Sequence, residues 1–200
     1  EKTDARGTRI SDALAFEEES DTSTNFDRYP PNRTSSTLTK LSSSLFVKLA
    51  RYASGGKWVT SARIHNRFKR RGATFTSQNH SFSNAQVVFT TKSAEEWSAG
   101  SIKEIFTAFW ETPDGKHIPT TFAEIYPYKP LSTLHAQQDT YRTFGFAGGR
   151  LFYDTFEKDT ILLPLEQIQS HFAYSVQFVA FTNEPTMHAL PLNKENELTV

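Results

Sequence analysis

The chain has 200 residues, of which 14% are aromatic, and it contains no cysteine and carries no formal net charge. This length suits one large domain or one domain with an appendage, and the aromatic content argues against global disorder. The lack of cysteine excludes disulfides, cysteine-ligated zinc, iron–sulfur clusters and thiol catalysis, and no apolar run approaches the roughly 20 residues of a membrane helix.

The zero net charge conceals three segments of opposite sign. Residues 1–31 carry eight acids and four bases, residues 32–92 carry eleven bases and no acid, and residues 93–200 carry seven bases and fourteen acids. Clustered Lys and Arg create a local positive potential that the net charge does not report. The middle segment therefore predicts an anionic partner or, alternatively, an intramolecular contact with the acidic C-terminal half.

The N-terminal residues 1–37 are rich in Ser, Thr, Asp and Glu and contain two consecutive prolines. They are predicted to form an extended acidic arm that is either poorly ordered or packed along the surface of the domain. From Leu38 onwards, leucines and Tyr52 recur every three or four residues, which indicates one apolar helical face. We expect a helix over about 38–53, with Ser or Thr as its N-cap and Gly55-Gly56 as its end.

A second, shorter helix is predicted over 61–71, with Ile64 and Phe68 as apolar anchors and Gly72 after its last turn. Much of its remaining surface is Arg and Lys, and such side chains neutralise nucleic-acid phosphates. Part of this basic collar also complements the dipole at a helix C-terminus. The residues predicted to contact nucleic acid are Lys57, Arg63, Arg67, Lys69, Arg70 and Arg71.

After Gly72 the sequence favours strands. Eight runs of β-branched, aromatic and aliphatic residues are separated by Asn, Asp, Gly, Pro and Ser. They are Ala73–Ser77, Gln86–Thr90, Ser101–Trp110, Thr120–Tyr128, Arg150–Phe156, Thr160–Leu165, His171–Phe181 and Met187–Leu192. A turn is expected at Pro113–Lys116, and short helical turns are alternatives at 103–104 and 164–168. Many short strands with frequent turns predict a small barrel or folded-over sheet.

No pattern in the sequence indicates catalysis, a metal site or a cofactor. The six histidines are scattered without metal-ligand spacing, and the acids of the C-terminal half are spaced like those of a solvated surface. There is no Gly-x-Ser-x-Gly elbow, and the glycines over 145–149 lack the ending of a phosphate-binding loop and indicate a tight turn. We therefore expect a non-enzymatic binding protein without cofactor or metal.

A series of short motifs resembles known families when it is taken in order. The motifs are Gly72-Ala-Thr-Phe-Thr-Ser77, Asn84-Ala-Gln-Val-Val-Phe89, Trp97-Ser-Ala-Gly-Ser-Ile-Lys-Glu-Ile-Phe106, Tyr126-Pro-Tyr-Lys-Pro-Leu131, Gly149-Arg-Leu-Phe-Tyr153, Ile168-Gln-Ser-His-Phe-Ala173 and His188-Ala-Leu-Pro-Leu-Asn-Lys194. The series resembles the C-terminal, non-catalytic region of proteins encoded by fungal DNA transposons. In outline it also resembles the bromo-adjacent homology (BAH) domain, a twisted β-barrel of chromatin proteins.

The sequence patterns and the resemblance together predict an α+β, mostly β fold, with a small BAH-like barrel over 73–194 after a basic helical segment at 38–72 and before a tail at 195–200. The resemblance implies a nuclear interaction module, and the basic segment predicts DNA or chromatin as its partner, without a membrane partner and with an unassigned oligomeric state. The alternative is recognition of a histone tail or another protein subunit through aromatic residues of the barrel, for which the candidates are Trp97, Tyr126 and Tyr128.

Overall fold

The computed structural model describes residues 38–52, 57–70, 72–91 and 96–192, and this part of the chain is mostly β. The strands are β1 Leu38–Lys40, β2 Lys57–Trp58, β3 Ser61–His65, β4 Arg67–Arg70, β5 Ala73–Thr76, β6 Gln86–Phe89, β7 Ser98–Glu111, β8 His117–Pro130, β9 Arg150–Phe156, β10 Ile161–Pro164, β11 Ile168–Gln177 and β12 Thr186–Pro191. The α-helices are α1 Ser43–Leu49, α2 Phe82–Ala85, α3 Thr133–Ala136 and α4 Gly145–Gly148, and 3-10 turns cover Thr140–Phe144 and Leu165–Gln167.

Six strands close into an antiparallel barrel, in the order β6, β7, β8, β9, β12, β11 and back to β6. Closure removes the free edges that an open sheet exposes. Every one of the six strands contributes to the apolar interior. The side chains that fill it are Val88, Ala99, Tyr128, Phe152, Phe172, Met187 and Ala189. The predicted small barrel is confirmed.

The β7–β8 hairpin is the longest element of the fold, with 14 residues in each strand. Its turn lies at the predicted position: the Gly115 amide donates to the Thr112 carbonyl at 2.9 Å, and Gly115 has a φ of +77°, which glycine adopts without steric penalty. Only the half of each strand that is distant from this turn belongs to the barrel. The half next to the turn extends beyond the barrel and builds a second sheet.

The second sheet has the order β1, β3, β7, β8, β10, and β2 pairs with β7 beyond β3. Helix α1 covers one face of this sheet through Leu45 and Leu49, which pack on Trp58, Phe106 and Phe122. The Tyr52 hydroxyl donates to the carbonyl of Leu162 in β10, which fastens the end of the helical segment to the sheet edge. The leucines from Leu41 to Leu49 and Tyr52 therefore pack on the sheet as expected, whereas Leu38 is exposed in β1.

The opposite face of the hairpin has its own core at the level of the barrel. Ile102, Ile105 and Ala123 pack there with Leu165. The separate β4–β5 hairpin covers this core through Phe75 and the partly buried Phe68. The β7–β8 hairpin is thus buried on both faces near the barrel and on one face beyond it.

The two predicted helices differ from the structure. Helix α1 spans only Ser43–Leu49, with the Ser42 hydroxyl accepting from the Leu45 amide, because Leu38–Lys40 pairs with β3 as strand β1. The helix predicted over 61–71 is wrong, so α1 is the only helix that the structure describes within the predicted basic helical segment at 38–72. In β3, Ala62 and Ile64 pack in the α1-covered core, whereas Arg63 and His65 lie on the other side of the strand, which is a period of two.

The position of Gly72 explains the second error. Its φ of +76° belongs to the turn of the β4–β5 hairpin, not to a helix end. The helical alternative at 103–104 is also wrong, because a β-bulge interrupts the β7–β8 register between Ile102 and Glu104. The turn within 164–168 is confirmed as a 3-10 turn, and all eight predicted strands are present. The acidic arm (1–37) and the tail (195–200) lie outside the described residues.

Gly100 is a point of close approach in the barrel wall. A Cβ atom at this position would lie 2.5 Å from Cγ2 of Ile125 and 2.7 Å from the Tyr126 carbonyl oxygen. We predict that Gly100→Ala lowers the free energy of unfolding by about 2 kcal/mol, measured by urea denaturation, because the packed wall must shift. Gly115→Ala, in an exposed turn with open space around it, is expected to cost only about 1 kcal/mol from its positive φ. Equal losses in both variants would show that packing at Gly100 is not the cause.

Candidate functional site

The described members of the predicted nucleic-acid contacts lie on strands and differ in their availability for a ligand. Lys57 is ion-paired to Glu111 at 3.2 Å. Arg70 donates to the carbonyls of Leu165 and Ile168 at 2.7 and 3.0 Å, so it holds the 3-10 turn after β10. Arg71 lies outside the described residues. The described members that remain available for a ligand are Arg63, Arg67 and Lys69.

Arg63 lies on a sheet surface that we call the polar face, the side of β1, β3, β7 and β8 turned away from α1. The strand register places Arg63 opposite Leu38 on one side and opposite Thr107 on the other, and Thr107 opposite Thr121. Each side chain of this face keeps part of its surface exposed. The face consists of Leu38, Lys40, Ser61, Arg63, His65, Thr107, Phe109, Pro119 and Thr121.

A chain of hydrogen bonds crosses three strands of the polar face. His65 Nε2 lies 2.7 Å from the Thr107 hydroxyl, which lies 2.9 Å from the Thr121 hydroxyl. Burial, and then the charge of Arg63, lower the pKa of His65, so its imidazole is neutral near pH 7. The face therefore offers hydroxyl groups and a neutral ring beside the Arg63 cation.

The cations of the basic segment are mostly not neutralised within the described structure. Eight of the eleven bases of residues 32–92 are described, and among them only Lys48 and Lys57 lie within 4.0 Å of a described carboxylate. Arg63 also has a buried Nε that finds no hydrogen-bond acceptor among the described residues. Intramolecular pairing with the acidic C-terminal half, as far as it is described, accounts for two of these charges and leaves six.

Arg67 and Lys69 extend this surface. β4 begins two residues after β3 ends, and the ring of Phe68 meets the ring of His65 at 5.9 Å, edge to face. Phe68 points to the core under the hairpin, so its neighbours Arg67 and Lys69 alternate to the exposed side. The hairpin thus adds two exposed cations at the edge of the polar face.

The three aromatic candidates do not form one site. Trp97 is 9% exposed and packs in the barrel interior, with the Arg150 guanidinium 4.6 Å from its ring centre and the Phe146 ring edge-to-face at 5.8 Å. Tyr126 lies opposite Ser101 of β7, four residues beyond Trp97, and Tyr128 shares the apolar interior of the barrel with Trp97. The ring of Trp97 contacts Phe146 and Phe152, whereas that of Tyr128 contacts Phe156 and Tyr174, so Trp97 is a filling residue of the interior.

Tyr126 and Tyr128 belong to an aromatic cluster that they form with rings of β9 and β11. Phe156 lies 5.6 Å from the Tyr126 ring and 4.6 Å from the Tyr128 ring, and Tyr174 lies 6.2 Å from Tyr128. Tyr128 is buried and donates to the Gln86 side chain, and burial raises the pKa of its hydroxyl. The aromatic cluster consists of Phe82, Tyr126, Tyr128, Phe156 and Tyr174.

Two contacts limit what the aromatic cluster can accept. The Tyr174 hydroxyl donates to Asp154 at 2.6 Å, so this carboxylate is already engaged. The ammonium of Lys103 lies 5.6 Å from the centre of the Tyr126 ring. A cation of the protein itself therefore already faces one of the rings that a cationic side chain of a partner would need.

A buried carboxylate lies between the barrel interior and the α1-covered core. Glu124 is 4% exposed and accepts from Thr160 at 2.5 Å, from Lys48 at 3.0 Å and from Lys103 at 3.0 Å. Burial raises its pKa, but these hydrogen bonds outweigh burial and hold the pKa below its usual range. Opposite it in the register, Glu104 has a raised pKa from burial and from the charge of Glu124.

The remaining titratable groups carry structural contacts. His171 lies 3.0 Å from the carbonyl of Gln86 and 3.1 Å from that of Thr74, and His188 is stacked on Tyr141 at 4.0 Å. No three His, Asp or Glu side chains converge as metal ligands anywhere in the described ranges. Among those same residues no helix is long and apolar enough to span a membrane.

Comparison of the chain with models of protein families, with curated proteins and with solved structures finds no match in any of the three. The resemblance to transposon-encoded proteins and to the BAH domain therefore rests on the ordered motifs alone.

The polar face could not be found from the sequence while Arg63 was assigned to a helix. His65, Thr107, Phe109 and Thr121 were not candidates, since they are distant in sequence and only strand pairing brings them together. One pattern could have indicated half of the face. The alternation of Ala62 and Ile64 with Arg63 and His65 is typical of a strand buried on one side.

The Glu124 environment predicts two substitutions with opposite effects. Because folding lowers the pKa of Glu124, its charge contributes stability above the usual carboxyl pKa, and that stability is lost as the pH falls through the lowered value. Glu104 has a raised pKa, so its favourable contribution exists only below the usual value and is lost as the pH rises through the raised one.

At pH 7 we expect Glu124→Gln to destabilise the fold by about 2 kcal/mol, since Lys48 and Lys103 lose a buried partner and are themselves partly hydrated. Glu104→Gln is expected to stabilise it slightly, by less than about 1 kcal/mol. Urea denaturation at pH 7 and pH 4 measures both, and the two effects should shrink at pH 4. Destabilisation of similar size by both variants would contradict the opposite roles assigned to the two carboxylates.

Proposed function

We propose that this protein is a non-catalytic module that binds nucleic acid through phosphate contacts of the polar face and the β4 strand. The residues that make these contacts are Arg63, Arg67 and Lys69. Lys57 and Arg70 keep their contacts within the protein and add to the positive charge of the surface. The observation that carries the proposal is the group of strand-borne cations that has no described carboxylate partner.

The geometry of Arg63 is fixed by the sheet and suits a phosphate. Arg63 is held on the central part of the sheet, and its buried Nε has no described acceptor. A buried donor without an acceptor costs roughly 1–3 kcal/mol, and a phosphate oxygen bound to the guanidinium would offset that cost. Contacts of this kind position a nucleic acid without specifying its sequence.

The cellular setting follows from the motif series and is part of the proposal. A module within, or derived from, a fungal transposon-encoded protein would act in the nucleus, with DNA or chromatin as its partner. A closed six-strand antiparallel barrel is compatible with a BAH-like domain. The order of the motifs from Gly72 to Lys194 supports that assignment.

We expect Arg63→Gln/Arg67→Gln/Lys69→Gln to weaken binding of fluorescein-labelled DNA by about tenfold or more at low salt. Each lost phosphate contact also flattens the dependence of log K on log salt by about 0.7 to 0.9, so the slope should fall by about 2 to 3. Fluorescence anisotropy across a salt series, with a single strand of about 24 nucleotides and the matching duplex, measures both quantities.

The matched control is Arg51→Gln/Lys116→Gln/Lys158→Gln, which removes the same charge from exposed positions outside the polar face. Its affinity and salt slope should stay close to those of the unsubstituted chain. The proposal fails if neither DNA binds at low salt, or if the two triple variants lose affinity equally, because the effect would then come from net charge alone.

The aromatic cluster supports a second candidate function, the recognition of a histone tail or of another protein subunit. Phe156 is 40% exposed and Phe82 is 50% exposed beside the partly exposed rings of Tyr126 and Tyr174. Exposed rings grouped in this way bind cationic side chains. This candidate ranks second because Lys103 already faces the Tyr126 ring.

The second candidate predicts that Phe156→Ala weakens binding of a lysine-rich histone-tail peptide by about fivefold or more, since a ring facing the peptide cation is lost. The Arg63/Arg67/Lys69 triple variant should bind the same peptide unchanged or better. Isothermal titration calorimetry measures both, with Phe144→Ala as the control at a distant exposed ring. Undetectable binding of the peptide by the unsubstituted chain would remove this candidate.

A further inference from the structure

We infer that the nucleic acid bound by the polar face is single-stranded, with Phe109 as the platform on which a base stacks. This inference rests on the proposed function and specifies its ligand. It arises from the shape and composition of the face, which carries aromatic and hydroxyl groups beside its cations.

The polar face is too wide to enter a groove of duplex DNA. It spans β1, β3, β7 and β8, whose neighbouring backbones lie about 4.8 Å apart, so the outer strands are roughly 14 Å apart before side chains are counted. The major groove of B-DNA is about 12 Å wide and admits one helix or a two-stranded ribbon. A four-strand face cannot enter that groove, whereas a single strand can lie across it with its bases turned to the sheet.

The narrower β4–β5 ribbon has the width to enter a groove, but it is held against the core. Phe68 and Phe75 pack under it, and Arg70 donates to the carbonyls of Leu165 and Ile168. His171 Nε2 also lies 3.1 Å from the carbonyl of Thr74 in β5. The ribbon would have to break these contacts to insert into a DNA groove. Its exposed cations, Arg67 and Lys69, therefore border the polar face and extend its positive charge.

Phe109 lies where a base could stack beside a bound phosphate. The register places Phe109 opposite Pro119, and Phe109 follows Thr107 by two residues on the same face of β7. Because Thr107 lies directly opposite Arg63, Phe109 is the diagonal neighbour of Arg63. Diagonal neighbours lie about 7 Å apart in a sheet. Phe109 is partly exposed and belongs to none of the four apolar cores of the described residues. An aromatic ring on a sheet surface, beside a cation, suits a base and its phosphate.

A row of hydroxyl groups next to Phe109 can meet the edges of unpaired bases. Thr107 is linked to Thr121 and to the neutral His65, so the two hydroxyl oxygens are held in place on the face. The edges of unpaired bases present both donors and acceptors, which a hydroxyl can match in either sense. In a duplex these base edges are paired and lie within the grooves, out of reach of a flat face.

The test compares matched probes on the full chain at one salt concentration. A labelled DNA strand of about 12 nucleotides, within the range that single-strand sites cover, the RNA of the same sequence and the DNA duplex are titrated by fluorescence anisotropy. We expect at least one single strand to bind about tenfold or more tightly than the duplex, and the DNA and RNA arms tell which sugar is preferred. Equal or tighter binding of the duplex would overturn the inference, while the proposed phosphate binding would stand.

The stacking role is tested with Phe109→Ala, and Phe144→Ala serves as the matched control because Phe144 is 70% exposed elsewhere. Phe109→Ala should weaken single-strand binding roughly 5- to 100-fold, the effect of losing one base–aromatic stack, without changing the salt slope. A 2-aminopurine placed in the strand should be quenched on binding to the unsubstituted chain and less so by the variant.

The outcomes separate the two proposals. If Arg63→Gln/Arg67→Gln/Lys69→Gln abolishes binding while Phe109→Ala behaves like Phe144→Ala, phosphate contact holds and stacking is excluded. If no probe binds at low salt, the proposed function fails and this inference fails with it. Circular dichroism and urea denaturation of Phe109→Ala establish that its fold is retained, and Phe109→Tyr, which keeps a stacking ring, should restore binding.

Discussion

The fold depends on the β7–β8 hairpin, because its two 14-residue strands belong to the barrel at one end and to the second sheet at the other. One face of the hairpin therefore passes from the barrel interior to the core under α1. Glu104 and Glu124 lie opposite each other at that junction, where their charges are desolvated and repel. Lys48 from α1 and Lys103 from the bulged part of β7 hold Glu124, so the helix, the hairpin and Thr160 are joined through one carboxylate.

The same hairpin explains why a charged surface is available. Beyond the barrel, α1 covers one of its faces, and β1 and β3 widen the other, whose side chains stay partly exposed within the described ranges. A sheet with one buried face alternates apolar and polar residues along each strand. Arg63 and His65 therefore emerge on that partly exposed side, beside Thr107 and Phe109 from a strand much later in the chain. The basic segment presents Arg63, Arg67 and Lys69 on one surface because β3 and β4 pair with other strands, and not because these residues lie on a helix.

The polar face and the aromatic cluster differ in how ready they are for a ligand. On the polar face the cation that would contact a ligand, Arg63, has no carboxylate partner among the described residues. In the aromatic cluster, Lys103 faces Tyr126, and Asp154 is engaged by Tyr174. Groups already held in the bound geometry lose less entropy on binding, whereas groups with internal partners must first release them. This difference favours nucleic acid over a cationic peptide as the ligand.

The sequence by itself determined the β-rich class, all eight strands after Gly72, the turn at Pro113–Lys116 and the position of the basic segment, since each depends on local alternation, turn residues and charge. It did not determine that 61–71 forms strands, because Ile64 and Phe68 also satisfy a helical spacing and only pairing with β7 and β5 decides between the two. The candidate site could likewise be predicted only in part from the sequence. Arg63, Arg67 and Lys69 follow from composition, whereas Thr107, Phe109 and Thr121 join them only through long-range register, which the tertiary structure alone supplies.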